Sequence, residues 1–160
     1  MRTTRRKRTG AQGFTLIELL IVVAIIGIIA AIAIPNLLNA IDRGKQKRTM
    51  ADLRSIGTAI EEYSIDNNFY PNGVTDAAAL EDQVSPAYMR KLPAKDGWGV
   101  DFGIDCTSSE YTIGSCGKGA TSCDGSSLAL NGTGGKTAQF QDDIIFTNGQ
   151  FVQWPEGKQN

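Results

Sequence analysis

Residues 13–35 read Gly-Phe-Thr-Leu-Ile-Glu-Leu-Leu-Ile-Val-Val-Ala-Ile-Ile-Gly-Ile-Ile-Ala-Ala-Ile-Ala-Ile-Pro. From Phe14 to Ile34 there are 21 residues, and Glu18 is their single charge. A helix of that length, rising about 1.5 Å per residue, crosses a hydrocarbon core of about 30 Å. The stretch therefore predicts a membrane span. A removable secretory signal has an apolar core of about 7 to 15 residues ahead of a small-x-small cleavage site. This longer core is expected to survive processing.

The charges on either side of the span differ in sign. Arg2, Arg5, Arg6, Lys7 and Arg8 precede it without any acid. The whole chain of 160 residues has 16 basic and 17 acidic side chains, so the remainder holds 11 against 17, a net charge of -6. Lys and Arg beside a span mark its cytoplasmic flank. The N-terminus is thus expected in the cytoplasm and the acidic part across the membrane. A basic run also suits nucleic-acid binding or a localisation signal. The acidic remainder carries no basic stripe, however, and no nucleic-acid partner is expected.

Beyond Pro35 the apolar residues thin out but keep helical spacing: Leu37, Leu38, Ile41, then Leu53, Ile56, Ile60 and Tyr63. One long helix is expected, kinked or locally melted at Pro35, where a backbone donor is missing, and weakened again at Gly44. Asp66 to Gly73 reads as its end and a turn. Thr75 or Asp76 can cap a short helix through Ala77, Leu80 and Val84. Tyr111 to Ile113, Ile144 to Thr147 and Gln150 to Trp154 have strand composition, and Asn148-Gly149 between the last two signals a hairpin. Cys116 to Lys136, rich in Gly, Ser and Thr, is expected to be a long surface loop. Trp98 and Trp154 are expected in the core. The fold class is α+β: a long N-terminal helix, spanning in its first half and amphipathic in its second, on a small antiparallel sheet with a long late loop.

Three cysteines, Cys106, Cys116 and Cys123, lie in the part assigned to an oxidising compartment. One pair can form there and leave one thiol. Three cysteines with no His and no two-residue spacing make a poor zinc site.

Gly13-Phe14-Thr15-Leu16-Ile17-Glu18, followed by the apolar run and Pro35, resembles the prepilin signature of the type IV pilin and type II secretion pseudopilin family. The resemblance implies residues 1–13 as a leader, cut after Gly13 by a prepilin peptidase that also methylates the new N-terminal Phe14. Residues 14–34 would then be the span and filament core, 35–67 the amphipathic continuation, and 68–160 a globular region. It further implies that Glu18 pairs with the Phe14 ammonium of a neighbouring subunit and sets filament registry, with Pro35 as the point where the helix can melt. Glu18 alone could instead snorkel to the membrane surface.

Asp66-Asn67-Asn68 to Tyr70-Pro71, Leu92 to Gly99 and Asp142-Asp143-Ile144 resemble the major pseudopilins of type II secretion in particular. That likeness implies a calcium ion in the late loop, held by carbonyls, a Ser and Asp side chains, for which Asp142, Asp124, Asp143 and Ser115 are the candidates. The chain departs from the family there. After Ser115-Cys116-Gly117 the family has Asp-Gly, and this sequence has Lys118-Gly119 and an insertion with Cys123 and Asp124. A disulfide between Cys116 and Cys123 is a candidate clamp in place of the ion.

The implied function is a structural subunit of the type II secretion pseudopilus. Its partners would be copies of itself, minor pilins or pseudopilins, the prepilin peptidase, membrane lipid, an inner-membrane platform with its cytoplasmic ATPase, and an outer-membrane secretin. A type IV pilin for adhesion, motility or DNA uptake is the alternative within the family. A membrane-tethered binding module is the alternative outside it. No enzymatic activity is expected, since the chain has no His, no nucleophile elbow and no phosphate loop. Asp142 and Asp143, as neighbours on a strand, would face opposite sides rather than one cleft.

Overall fold

A computed structural model describes residues 13–128, 134–156 and 159. Apart from Gly13, the expected leader lies outside the described residues. The chain divides into two units, Met1–Leu38 and Asn39–Asn160. Helix α1, Leu16–Asn67, runs from the first into the second with Pro35 inside it. The backbone stays helical through Pro35 and Gly44. A missing donor removes one i to i−4 bond, and a helix held on both sides can lose one bond without opening. Asn36 meanwhile donates its side-chain amide to the Ile32 carbonyl at 3.0 Å.

In the second unit the order is α1, α2 (Ala77–Val84), β1 (Gly103–Cys106), β2 (Tyr111–Ser115), a 3-10 turn (Gly125–Ser127), β3 (Gly135–Thr137), β4 (Ile144–Thr147) and β5 (Gln150–Pro155). Asp76 caps α2 by accepting the Ala79 N–H at 2.8 Å. Asn148 (φ 47°) and Gly149 (φ 84°) make the two-residue turn of the β4–β5 hairpin, where both positions need the left-handed region.

The five strands lie in the order β1-β2-β4-β5-β3. The sheet is mixed rather than antiparallel throughout, because β3 pairs parallel with β5. The other neighbours are antiparallel. Both β1 and β3 sit at the edges, and their short Gly-containing sequences carry little strand signal.

Leu53, Ile56 and Ile60 of α1 are fully buried, as their spacing predicts, with Leu80 and Val84 of α2 and Ile104, Tyr111, Ile113, Ile144 and Phe146 of the sheet. Each such aliphatic side chain contributes about 1.5–3 kcal/mol by leaving water. Leu37, Leu38 and Ile41 are exposed instead. The buried stripe of α1 continues upstream through polar residues, Thr49, Gln46 and Asp42. Trp98 and Trp154 are only half-buried. Phe102, Tyr111 and Phe146 supply the aromatic area of the core.

Candidate functional site

Two regions carry the residues singled out from the sequence, one in each unit. In the first, every large apolar side chain from Phe14 to Leu38 keeps 45% or more of its surface exposed. A water-soluble chain does not leave so long an apolar surface bare, so it requires lipid or other apolar helices around it. Helix α1 is long and apolar enough there to cross a membrane.

Thr15 precedes α1 and Glu18 lies in its first turn. The Thr15 N–H and Oγ both donate to Glu18 Oε2, at 2.9 and 2.7 Å, and the Glu18 N–H donates to Thr15 Oγ at 3.3 Å. This reciprocal pattern is a capping box, with the Thr-x-x-Glu spacing of Thr15-Leu16-Ile17-Glu18. The carboxylate therefore has ligands within its own chain, which reduces the penalty of holding it at an apolar helix end. Gly13 and Phe14 lie just ahead of this cap, both exposed and outside the helix.

In the second unit the Lys95–Trp98 turn and the segment at Lys118 meet the polar stripe of α1. Gly97 donates its N–H to Thr49 Oγ1 at 2.9 Å. A Cβ on Gly97 would stand 2.6 Å from the Lys45 carbonyl oxygen, so only glycine allows this approach. The buried Asp96 accepts the Trp98 and Val100 N–H groups, each at 2.9 Å, and the Ser115 hydroxyl at 2.6 Å. Trp98 donates its indole N–H to Asp42 at 3.2 Å, and Lys118 Nζ reaches the same carboxylate at 2.7 Å. Burial works to raise the Asp42 carboxyl. Hydrogen bonds from Lys118 and Trp98, with the charges of Lys118 and Lys45, outweigh it and hold the group below the usual range.

Cys116 and Cys123 form a disulfide with their Cα atoms 5.7 Å apart, and Cys106 is a buried thiol.

The four calcium candidates do not make a cage. Asp142 Oδ2 accepts the Ala138 and Gln139 N–H groups at 3.2 and 3.0 Å. Asp124 Oδ1 accepts from the Ser126 hydroxyl and from the N–H and hydroxyl of Ser127. Ser115 gives its proton to Asp96 and accepts the Gly117 N–H at 3.2 Å. Asp143 offers its backbone carbonyl to Gln153 at 2.9 Å. Calcium takes six to eight oxygens turned toward one point. Here three of the four side chains are turned to donors of their own segments, and among the described residues no cluster of three or more His, Cys, Asp or Glu could hold a metal.

Two family models match the chain. A prokaryotic N-terminal methylation motif covers residues 8–34, and the type II secretion system protein G family covers residues 36–129. Among curated relatives, a type II secretion system core protein G from Pectobacterium carotovorum is 34% identical over 57% of this chain and 64% of its own length. Proteins of the same name from Vibrio cholerae and Pseudomonas aeruginosa are 33% and 31% identical, over 71% and 70% of this chain and 84% and 89% of theirs. The chain thus spans slightly less than two thirds of the Pectobacterium relative and most of the other two. No solved structure matches it. With a prepilin-type N-terminus, a capped apolar helix and a matching domain beyond Pro35, the chain belongs to the type II secretion system protein G family.

Proposed function

We propose that the chain is a structural subunit of the type II secretion pseudopilus, made as a single-pass inner-membrane precursor and polymerised through its apolar helix. The observation that carries this reading is the exposed apolar surface from Phe14 to Ile41, interrupted by one carboxylate at Glu18. Lipid can cover that surface before assembly, and like helices can cover it in a filament. Ala24, Gly27, Ala30, Ala31 and Ala33 leave room for close helix approach.

Cleavage after Gly13 leaves an ammonium on Phe14, a few residues from Glu18 on a neighbouring copy. Pairing the two gives the carboxylate a full countercharge that its own Thr15 does not supply. Wrong registers leave Glu18 on its cap alone, so the correct register is favoured. Pro35, with one helical bond already missing, is where α1 opens most readily during packing. Domains 1–13, 14–34, 35–67 and 68–160 then act as leader, anchor and filament core, connector and periplasmic body. The further partners are minor pseudopilins, the prepilin peptidase and methyltransferase, an inner-membrane platform with its ATPase, and the outer-membrane secretin.

The test is the intact mass and N-terminal sequence of the membrane-extracted protein, with and without co-expressed prepilin peptidase. Cleavage after Gly13 with one methyl on Phe14 is expected with the peptidase, and a chain beginning at Met1 in both samples would refute the reading. Glu18→Ala should still be processed but give few filaments. A deletion strain should lose export of folded proteins; normal export together with long surface fibres would move the chain to the pilins.

A further inference from the structure

The late loop is held from two sides. Lys118 Nζ, on a side chain about half exposed, meets Asp42 Oδ2 at 2.7 Å, where the Asp42 side chain is 8% exposed. The same ammonium lies 5.8 Å from the centre of the Phe140 ring, and the Lys118 N–H donates to the Phe140 carbonyl at 2.7 Å. One residue thereby joins α1, the 116–118 segment and the 140–142 segment. Gly117 permits the approach, since a Cβ there would stand 2.6 Å from the Gln141 carbonyl oxygen and 2.8 Å from that of Asp142.

On the other side, the Cys116–Cys123 disulfide closes the inserted segment, and Cys123 and Asp124 lie against Gly103 of β1. A Cβ on Gly103 would stand 2.7 Å from the Asp124 carbonyl oxygen and 3.2 Å from Cys123 Sγ. The resemblance implies a divalent cation in this loop, but the side-chain oxygens of Asp142, Asp124 and Ser115 are engaged with N–H and O–H groups of their own segments. A fixed ammonium also occupies the position following Gly117. Positive charge is supplied by the chain itself, and it neutralises a buried carboxylate whose other hydrogen-bond partner, the Trp98 indole, is uncharged.

We propose that this chain orders the 116–124 part of its late loop with the Lys118–Asp42 ion pair and the Cys116–Cys123 disulfide in place of a bound calcium ion. The inference concerns how the loop is fixed and stands whether or not the filament reading holds. The resident cation makes the fold indifferent to calcium, and the disulfide makes it sensitive to reduction.

The experiment is thermal unfolding of the full-length protein in detergent, followed by tryptophan fluorescence, with calcium or with a calcium chelator. Equal melting temperatures are expected, and a rise of several degrees in calcium overturns the proposal. Lys118→Met should melt roughly 5–10 °C lower with chelator present, and Lys118→Arg should recover most of the loss. A Lys118→Met protein that melts with the wild type overturns it. If Lys118→Met fails to fold, the wild-type comparison in calcium and chelator decides. Reduction of the wild type should lower the melting temperature, and no change on reduction overturns the disulfide's part.

Discussion

The Tyr111 hydroxyl donates to Glu61 Oε1 across 3.0 Å and accepts the Gly149 N–H at 2.9 Å, so one phenol ties β2, α1 and the β4–β5 turn together. Tyr70 reaches the same carboxylate at 3.3 Å and packs edge-on against the Tyr111 ring, with centroids 5.1 Å apart. Burial first, and the Glu61 carboxylate as well, push the Tyr111 hydroxyl above its ordinary value. A raised value in the folded state means the contribution is fully present below about pH 10 and is lost only as pH rises beyond it.

Tyr111→Phe keeps the ring and deletes the hydroxyl. It should cost about 1–2 kcal/mol, because Glu61 and the Gly149 N–H each lose a partner. Urea unfolding of the detergent-extracted protein at neutral pH measures this. Stability equal to wild type would show that Tyr70 and water replace the bond completely.

Gly97 lies in the Lys95-Asp96-Gly97-Trp98 turn, against the backbone of Lys45. Gly97→Ala places a methyl carbon 2.6 Å from the Lys45 carbonyl oxygen, which is rigid helix backbone. The turn must retreat, and the Gly97 N–H to Thr49 bond and the Trp98 to Asp42 bond should weaken with it. A loss of about 1–3 kcal/mol is expected, as for overpacking elsewhere, with a shift in Trp98 fluorescence. Wild-type stability would mean that the turn does not depend on this approach.

How far the sequence could be read varies with the kind of signal. Leu53, Ile56 and Ile60, the Asp76 cap and the Asn148-Gly149 turn each act within a few residues, and each appears where its pattern places it. Asp42, Gln46 and Thr49 continue the same buried stripe, but their burial depends on partners 48–113 residues away: Trp98, Lys118, Gln159 and Gly97. A hydrophobic pattern cannot mark a polar residue whose partner lies so far along the chain. The parallel β3–β5 pair was hidden for the same reason, since three residues beginning with Gly135 become a strand only beside β5. At the N-terminus the Thr15–Glu18 capping box was legible by spacing.

Cys106 on β1 is buried, and burial first, then the Asp105 charge, pushes its thiol up to about 12. A thiolate is the reactive form, so the folded protein should resist alkylation at neutral pH. Unfolding without reductant should expose one reactive thiol per chain, and unfolding with reductant three. Mass spectrometry after alkylation counts them. Three thiols in the unfolded but unreduced protein would mean that Cys116 and Cys123 are not bonded.

The Asp42–Lys118 pair fixes an acid limit on stability. Asp42 is held below its ordinary value when folded, so its contribution is fully present above the unfolded value of about 3.9 and is lost as pH falls through the folded one. Asp42→Asn keeps an acceptor for Trp98 and removes the charge that faces Lys118. With Lys118 half exposed, the ion pair should contribute about 1–3 kcal/mol, between a surface pair and a buried one. The wild type should therefore melt higher than Asp42→Asn at pH 7 and by nearly the same margin at pH 5, both well above the transition. As pH falls through the lowered folded value, Asp42 takes up its proton and becomes as neutral as the asparagine, so the margin should shrink. Background acid effects from the other carboxylates act on both proteins and cancel in the difference. A margin that persists undiminished at the lowest pH would mean that Asp42 acts through its packing and its bond to Trp98, and not through the charge on Lys118.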